Sequence, residues 1–66
     1  MEANKTKPTC KLIGQDGNIF NLIGITSRTL KRAGMQAEAK EMYDRVFGCS
    51  SYSEALTIIG EYVDIV

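Results

Sequence analysis

The chain has 66 residues, a formal net charge of zero, no His and only two Cys. At this length one domain is the limit, because so short a chain buries only about 60% of the surface its unfolded form exposes, and such a core seldom supplies more than roughly 3–5 kcal/mol of net stability. Without His, neither a Ser–His–Asp triad nor a Cys–His nucleophile can be assembled, and Cys10 and Cys49 are too far apart in sequence to form a C-x-x-C metal-chelating pair.

Residues 1–8 are polar and charged, end in Pro8 and lack apolar periodicity. They read as a disordered N-terminal tail preceding a single small domain over 9–66. Thr9-Cys10-Lys11-Leu12-Ile13 alternates apolar and polar residues and predicts a short strand ending at Gly14. Gln15-Asp16-Gly17-Asn18 reads as a turn in which Asp and Asn bond their own backbone and Gly17 takes a positive φ.

Asn18 then either caps a helix or belongs to a hairpin turn returning through Ile19-Phe20-Asn21-Leu22. The helix is favoured. Ile19, Ile23, Thr26 and Leu30 fall at helical spacing, with Phe20, Ser27 and Ala33 widening the stripe, whereas strand alternation fails at Leu22-Ile23. Arg28, Lys31 and Arg32 complement the dipole of its last turns, and Gly34 stands where a left-handed C′ residue belongs. Gly24 costs this helix about 1 kcal/mol relative to Ala, which suggests close approach of another backbone.

A second helix is marked by Met35, Ala39, Met42, Val46 and Phe47 over a polar face of Gln36, Glu38, Glu41 and Asp44, and stops at Gly48. After Cys49-Ser50, Ser51 and Glu54 have the spacing of a capping box, with Glu54 reaching back three residues. The third helix carries Tyr52, Ala55, Leu56, Ile59 and Val63 inward, broadened by Ile58 and Tyr62. The closing Tyr62-Val63-Asp64-Ile65-Val66 is rich in β-branched residues and suits a short strand whose natural partner is 9–13. The expected class is therefore mainly α, a small α+β domain of three helices with a short N-terminal strand and a C-terminal strand able to pair with it.

The pattern Lys11-Leu12-Ile13-Gly14, Asp16-Gly17-Asn18, Phe20, Gly24, Leu30, Ala33-Gly34, Tyr52 and Ala55-Leu56 resembles a family of small uncharacterised bacterial proteins found on plasmids, phages and other mobile elements. The shared residues are turn, cap and core residues. The resemblance thus implies a common fold, a bacterial or phage origin and a cytoplasmic location, and it carries over no functional residue.

Function is narrowed mainly by exclusion. The glycines match neither G-x-G-x-x-G nor a P-loop, and Asp16-Gly17-Asn18 lacks the further ligands and closing Glu of an EF-hand. The densest apolar run, Ile19 to Ile25, is interrupted by Asn21 and Gly24 and falls short of a membrane span. The N-terminus lacks a secretory apolar run. Hence the expected compartment is the reducing cytoplasm, where Cys10 and Cys49 are read as reduced, small apolar side chains in preference to the one disulfide their number allows. No catalytic residue, cofactor or metal is expected.

Charge is unevenly distributed: residues 1–34 hold six basic and two acidic groups, a balance of +4, and residues 35–66 hold two basic and six acidic, a balance of −4. A basic surface from Arg28, Lys31 and Arg32 would suit an anion, and the helix–Ala33-Gly34–helix arrangement admits a small nucleic-acid-binding or transcription-associated protein as the alternative. Against it, the helix after the turn carries Glu38, Glu41 and Asp44 beside Lys40 and Arg45, and would repel phosphate. The preferred expectation is a non-catalytic protein-interaction module, completed by a protein partner or a second copy, because the apolar residues spread beyond narrow helical stripes. Tyr43, Tyr52 and Tyr62 are its candidate contacts, each joining apolar area to a polar tip.

Overall fold

The computed structural model describes residues 7–66. Its elements run β1 (Thr9–Cys10), α1 (Ile19–Arg32), α2 (Gln36–Gly48), α3 (Tyr52–Tyr62) and β2 (Asp64–Ile65). The molecule is mainly α, three helices closed by a two-stranded parallel ladder.

The helix boundaries follow from local capping. The Asn18 side-chain oxygen accepts from the Phe20 N–H, and the Asn18 N–H donates to Asp16 Oδ1, which joins the turn to the first orphan amides of α1. At the other end Gly34 has φ 77°. Gly34 N–H donates to Lys31 O, and Met35 N–H donates to Leu30 O at 2.8 Å. This is the paired bonding of a Schellman motif, and it lets the chain reverse within three residues into α2. Ser51 caps α3 by accepting from Glu54 N–H at 3.0 Å. The Glu54 carboxylate reaches back four residues rather than the expected three, accepting from the N–H and the hydroxyl of Ser50. In the turn before α1 the positive φ belongs to Gly14, at 91°, and not to Gly17.

The core is formed by one face of each helix. Leu22, Ile23, Thr26 and Leu30 of α1 meet Ala39, Met42 and Val46 of α2 and Ala55, Ile58, Ile59 and Tyr62 of α3, with Cys10, Leu12 and Val63 sealing the end. Leu22 takes the place the sequence stripe gave to Phe20, because Ile19, Leu22, Ile23, Thr26 and Leu30 form one continuous face at i, i+3, i+4, i+7 and i+11.

The expected pairing of the chain ends is present. Its register matches Thr9 with Asp64 and Cys10 with Ile65. β1 is only two residues long, shorter than the 9–13 strand expected, yet Leu12 and Ile13 both donate their N–H to Val66 O, at 2.8 and 2.9 Å. A parallel ladder needs a long crossover, and the three helices supply it. The expected tail at 1–8 falls partly on residues 1–6, outside the described residues. Lys7 and Pro8, which it also included, are tied into the fold: Pro8 O accepts from Asp64 N–H, and Lys7 Nζ donates to Gly60 O.

Candidate functional site: an exposed aromatic groove

The helical stripes leave large rings outside the core. Phe20 on α1 is 65% exposed, Phe47 and Tyr43 on α2 are 51% and 48% exposed, and Tyr52 at the start of α3 is 49% exposed. On α2, Tyr43 and Phe47 are four residues apart and form a second stripe beside the buried Ala39, Met42 and Val46. Their ring centroids are 4.7 Å apart, and Phe47 lies 5.8 Å from Phe20 across the helix junction, both pairs tilted by just over 40°. Such tilted contacts suit the ring quadrupoles.

Phe20 and Phe47 line two adjoining hollows. One, of about 310 Å³, runs toward Tyr52 over a largely apolar floor that includes Ile19, Ile23, Val46 and Ala55. The other, of about 350 Å³, runs toward Tyr43 and is bounded by Gly24, Ser27, Arg28 and Lys31. No Asp or Glu lines either hollow.

Gly24 does not support a close internal contact. A Cβ built on it would meet nothing within 4 Å, so this glycine keeps open space beside Phe20 instead of admitting another backbone of the same chain.

Of the six residues picked out from the sequence, the structure brings four to this groove. Tyr43 and Tyr52 stand at opposite ends, and Arg28 and Lys31 border the Tyr43 end. Arg32 is exposed but lies outside the lining of both hollows. Tyr62 is a correction: it is only 9% exposed, and its hydroxyl accepts from Arg45 at 3.0 Å, so it is a core residue with a satisfied polar tip and offers no surface to a partner.

Arg45 also holds Glu61 at 2.7 and 3.3 Å through two nitrogens, tying α2 to the end of α3. This hydrogen-bonded pairing lowers the Glu61 carboxyl below its ordinary value and raises the Arg45 guanidinium further above its own. Among the described residues, ion pairs join Lys7 to Asp64, Lys40 to Asp44 and Arg45 to Glu61, and none engages Arg28, Lys31 or Arg32.

Phe20 and Phe47 are the functional candidates the sequence reading placed in the core. The signal that separates them is angular. Each residue of a helix turns about 100°, so Phe20 and Phe47 lie one step away from Ile19 and Val46, and the i, i+4 repeat of Tyr43 and Phe47 marks a face of its own.

Both cysteines are free: Cys10 is buried, receiving a 3.6 Å contact from the Thr29 hydroxyl, and Cys49 is half-buried at the edge of the groove. No helix among the described residues is long and apolar enough to cross a membrane. No family model matches the chain, and neither a similar curated protein nor a similar solved structure was found.

Proposed function

We propose that this chain is a non-catalytic protein-binding module whose docking surface is the groove formed by Phe20, Tyr43, Phe47 and Tyr52. The observation carrying the proposal is the clustering of these four half-exposed rings on adjoining hollows with an aliphatic floor. Exposed apolar patches of this kind are costly in water and mark interaction sites, and aromatic side chains dominate binding energy at the centre of interfaces. A bacterial cytoplasm as its setting is part of the same proposal and rests on the Lys11-to-Phe20 sequence pattern alone.

A test is affinity capture from lysate of the source organism, with and without nuclease, using the tagged chain and its Phe20→Ala/Phe47→Ala variant. The proposal expects a specific protein that survives nuclease and is lost with the variant. Equal recovery on both forms would sink it. Circular dichroism of the variant guards against misfolding, since both rings are exposed and outside the buried core.

One arrangement favours the second reading, a nucleic-acid-binding protein: Arg28 and Lys31 border the same hollow as Phe20 and Tyr43, and cations beside exposed rings are the elements of single-strand binding. It ranks lower because both cations of α2 are already engaged, Lys40 with Asp44 and Arg45 with Glu61. Charge reversal of Arg28, Lys31 and Arg32 without change in affinity for a single-stranded or duplex oligonucleotide would remove it.

A further inference from the structure

We infer that the segment seated in the aromatic groove is an acidic amphipathic helix of another protein, whose apolar side chains pack along Phe20, Phe47 and Tyr43 while its carboxylates meet Arg28 and Lys31. This inference rests on the docking-groove reading and specifies the chemistry of the occupant.

Three features point to that occupant. First, charge in the lining is one-sided: Arg28 and Lys31 are the charged residues bordering the two hollows, neither is in an ion pair among the described residues, and no carboxylate lines the groove. A partner carrying acidic residues beside its apolar stripe completes both cations, and complementary charge of this kind sets partner choice and encounter rate. Secondly, the rings form a row along which the apolar face of a helix can lie. Centroids 5.8 and 4.7 Å apart put Phe20, Phe47 and Tyr43 in contact as one continuous aromatic row. Side chains at i, i+3 or i+4, and i+7 of an amphipathic helix can pack along such a row, as in helix-in-groove recognition generally. Thirdly, Gly24 leaves the wall of the groove without a side chain at a point where nothing of this chain comes within 4 Å of a built Cβ. A helix backbone can approach α1 most closely there.

The experiment uses the intact chain and three synthetic peptides of about four helical turns. They share one apolar stripe at i, i+3, i+4 and i+7 and carry Glu, Gln or Lys at the flanking positions. Binding is followed by backbone amide chemical shifts at residues 19–28 and 43–52, with affinity from the same titration.

The expected result is that the Glu peptide binds about tenfold more tightly than the Gln peptide and that the Lys peptide binds weakest. That advantage should shrink as NaCl rises from about 0.05 to about 0.5 M. Arg28→Glu should abolish the preference for Glu, whereas Lys11→Glu, an equal change of net charge at a residue outside the groove lining, should leave it intact. Both residues are exposed, so neither variant threatens the fold.

If the three peptides bind equally, or the Lys peptide binds best, and Phe20→Ala weakens them all, the acidic occupant is wrong and the docking groove stands. If no peptide shifts the groove amides, both readings fall. Concentration-dependent dimerisation that is lost in Phe47→Ala would reassign the groove to a second copy of the chain. Saturable binding of a single-stranded oligonucleotide at the same amides would reassign it to nucleic acid.

Discussion

The hydroxyl of Tyr52, the first residue of α3, donates a 2.6 Å hydrogen bond to the carbonyl oxygen of Gly17 in the turn before α1. The two residues are far apart in sequence, so this bond fixes where α3 begins relative to α1, and with it the Tyr52 end of the groove. Gly17 keeps the approach open: a Cβ there would lie 3.4 Å from the same hydroxyl oxygen. Tyr52→Phe retains the ring and removes the bond, and a hydrogen bond of this kind contributes about 1 kcal/mol net. Urea unfolding should show that loss, with groove shifts confined to Tyr52 and Gly17.

Gly24→Ala separates stability from binding. An Ala in place of Gly within a helix gains about 1 kcal/mol, and the space around position 24 accepts the methyl group without a clash. The variant should melt at a higher temperature than the natural chain. It should also bind the acidic helix less tightly, because the methyl group narrows the wall at the closest approach. A gain in both stability and affinity would contradict the role assigned to this glycine.

Acid should loosen the α2–α3 contact. The Arg45 guanidinium holds the Glu61 carboxyl below its ordinary 4.5 by hydrogen bonding, with smaller help from the charges of Arg45 and Lys7 and opposition from desolvation. A carboxyl whose folded pKa is depressed stabilises the fold fully above its unfolded value and loses that contribution as pH falls through the folded value. Stability should therefore decline below about pH 4.5. In Glu61→Gln the stability–pH profile should be flatter over that acid range. Identical acid profiles for the two proteins would show that the pair adds nothing.

Leu30→Ala tests how little reserve the core holds. Leu30 is fully buried at the end of α1, where its carbonyl also accepts the Met35 bond that terminates the helix. Truncating such a side chain costs about 2–5 kcal/mol, against roughly 3–5 kcal/mol for a domain of this size. Loss of most helical circular dichroism at 25 °C is expected.

What could be read from the sequence is what local chemistry decides. Asn18, Gly34 and Ser51 fix the ends of the helices through bonds to residues at most four positions away, and all three perform the capping expected of them. The pairing of residues 9–13 with the C-terminus was legible for a different reason, since two short apolar segments would otherwise leave their backbone groups unpaired. The length of β1 was not, because Val66 O takes two donors at once and ends the ladder early.

The groove was hardest to see. Phe20 and Phe47 sit next to core positions, and composition alone counts them as core. The three-helix arrangement shows that Leu22 and Val46 fill the interior and leave those rings outside. Gly24 misled in the same way, since a glycine in a helix implies space but not whose. Tyr62 differs from Tyr43 and Tyr52 in lying within the core, as its place on the inward stripe of the third helix implied, and in the Arg45 contact that satisfies its hydroxyl, which no local pattern encodes.

The joining of the chain ends also makes a thiol into a clock. Cys10 lies in β1, about 55 residues from its ladder partner Ile65, and it is 1% exposed under the pairing that joins them. Each strand is only two residues long, so this ladder should open before the helices separate. While it is shut, a disulfide reagent can reach Cys49 but not Cys10. Labelling should then be biphasic, one thiol at the rate of a half-buried cysteine and the other at a rate set by how often the ends part. The slower phase would measure that parting free energy at a thiol the chain already carries, with no substitution introduced.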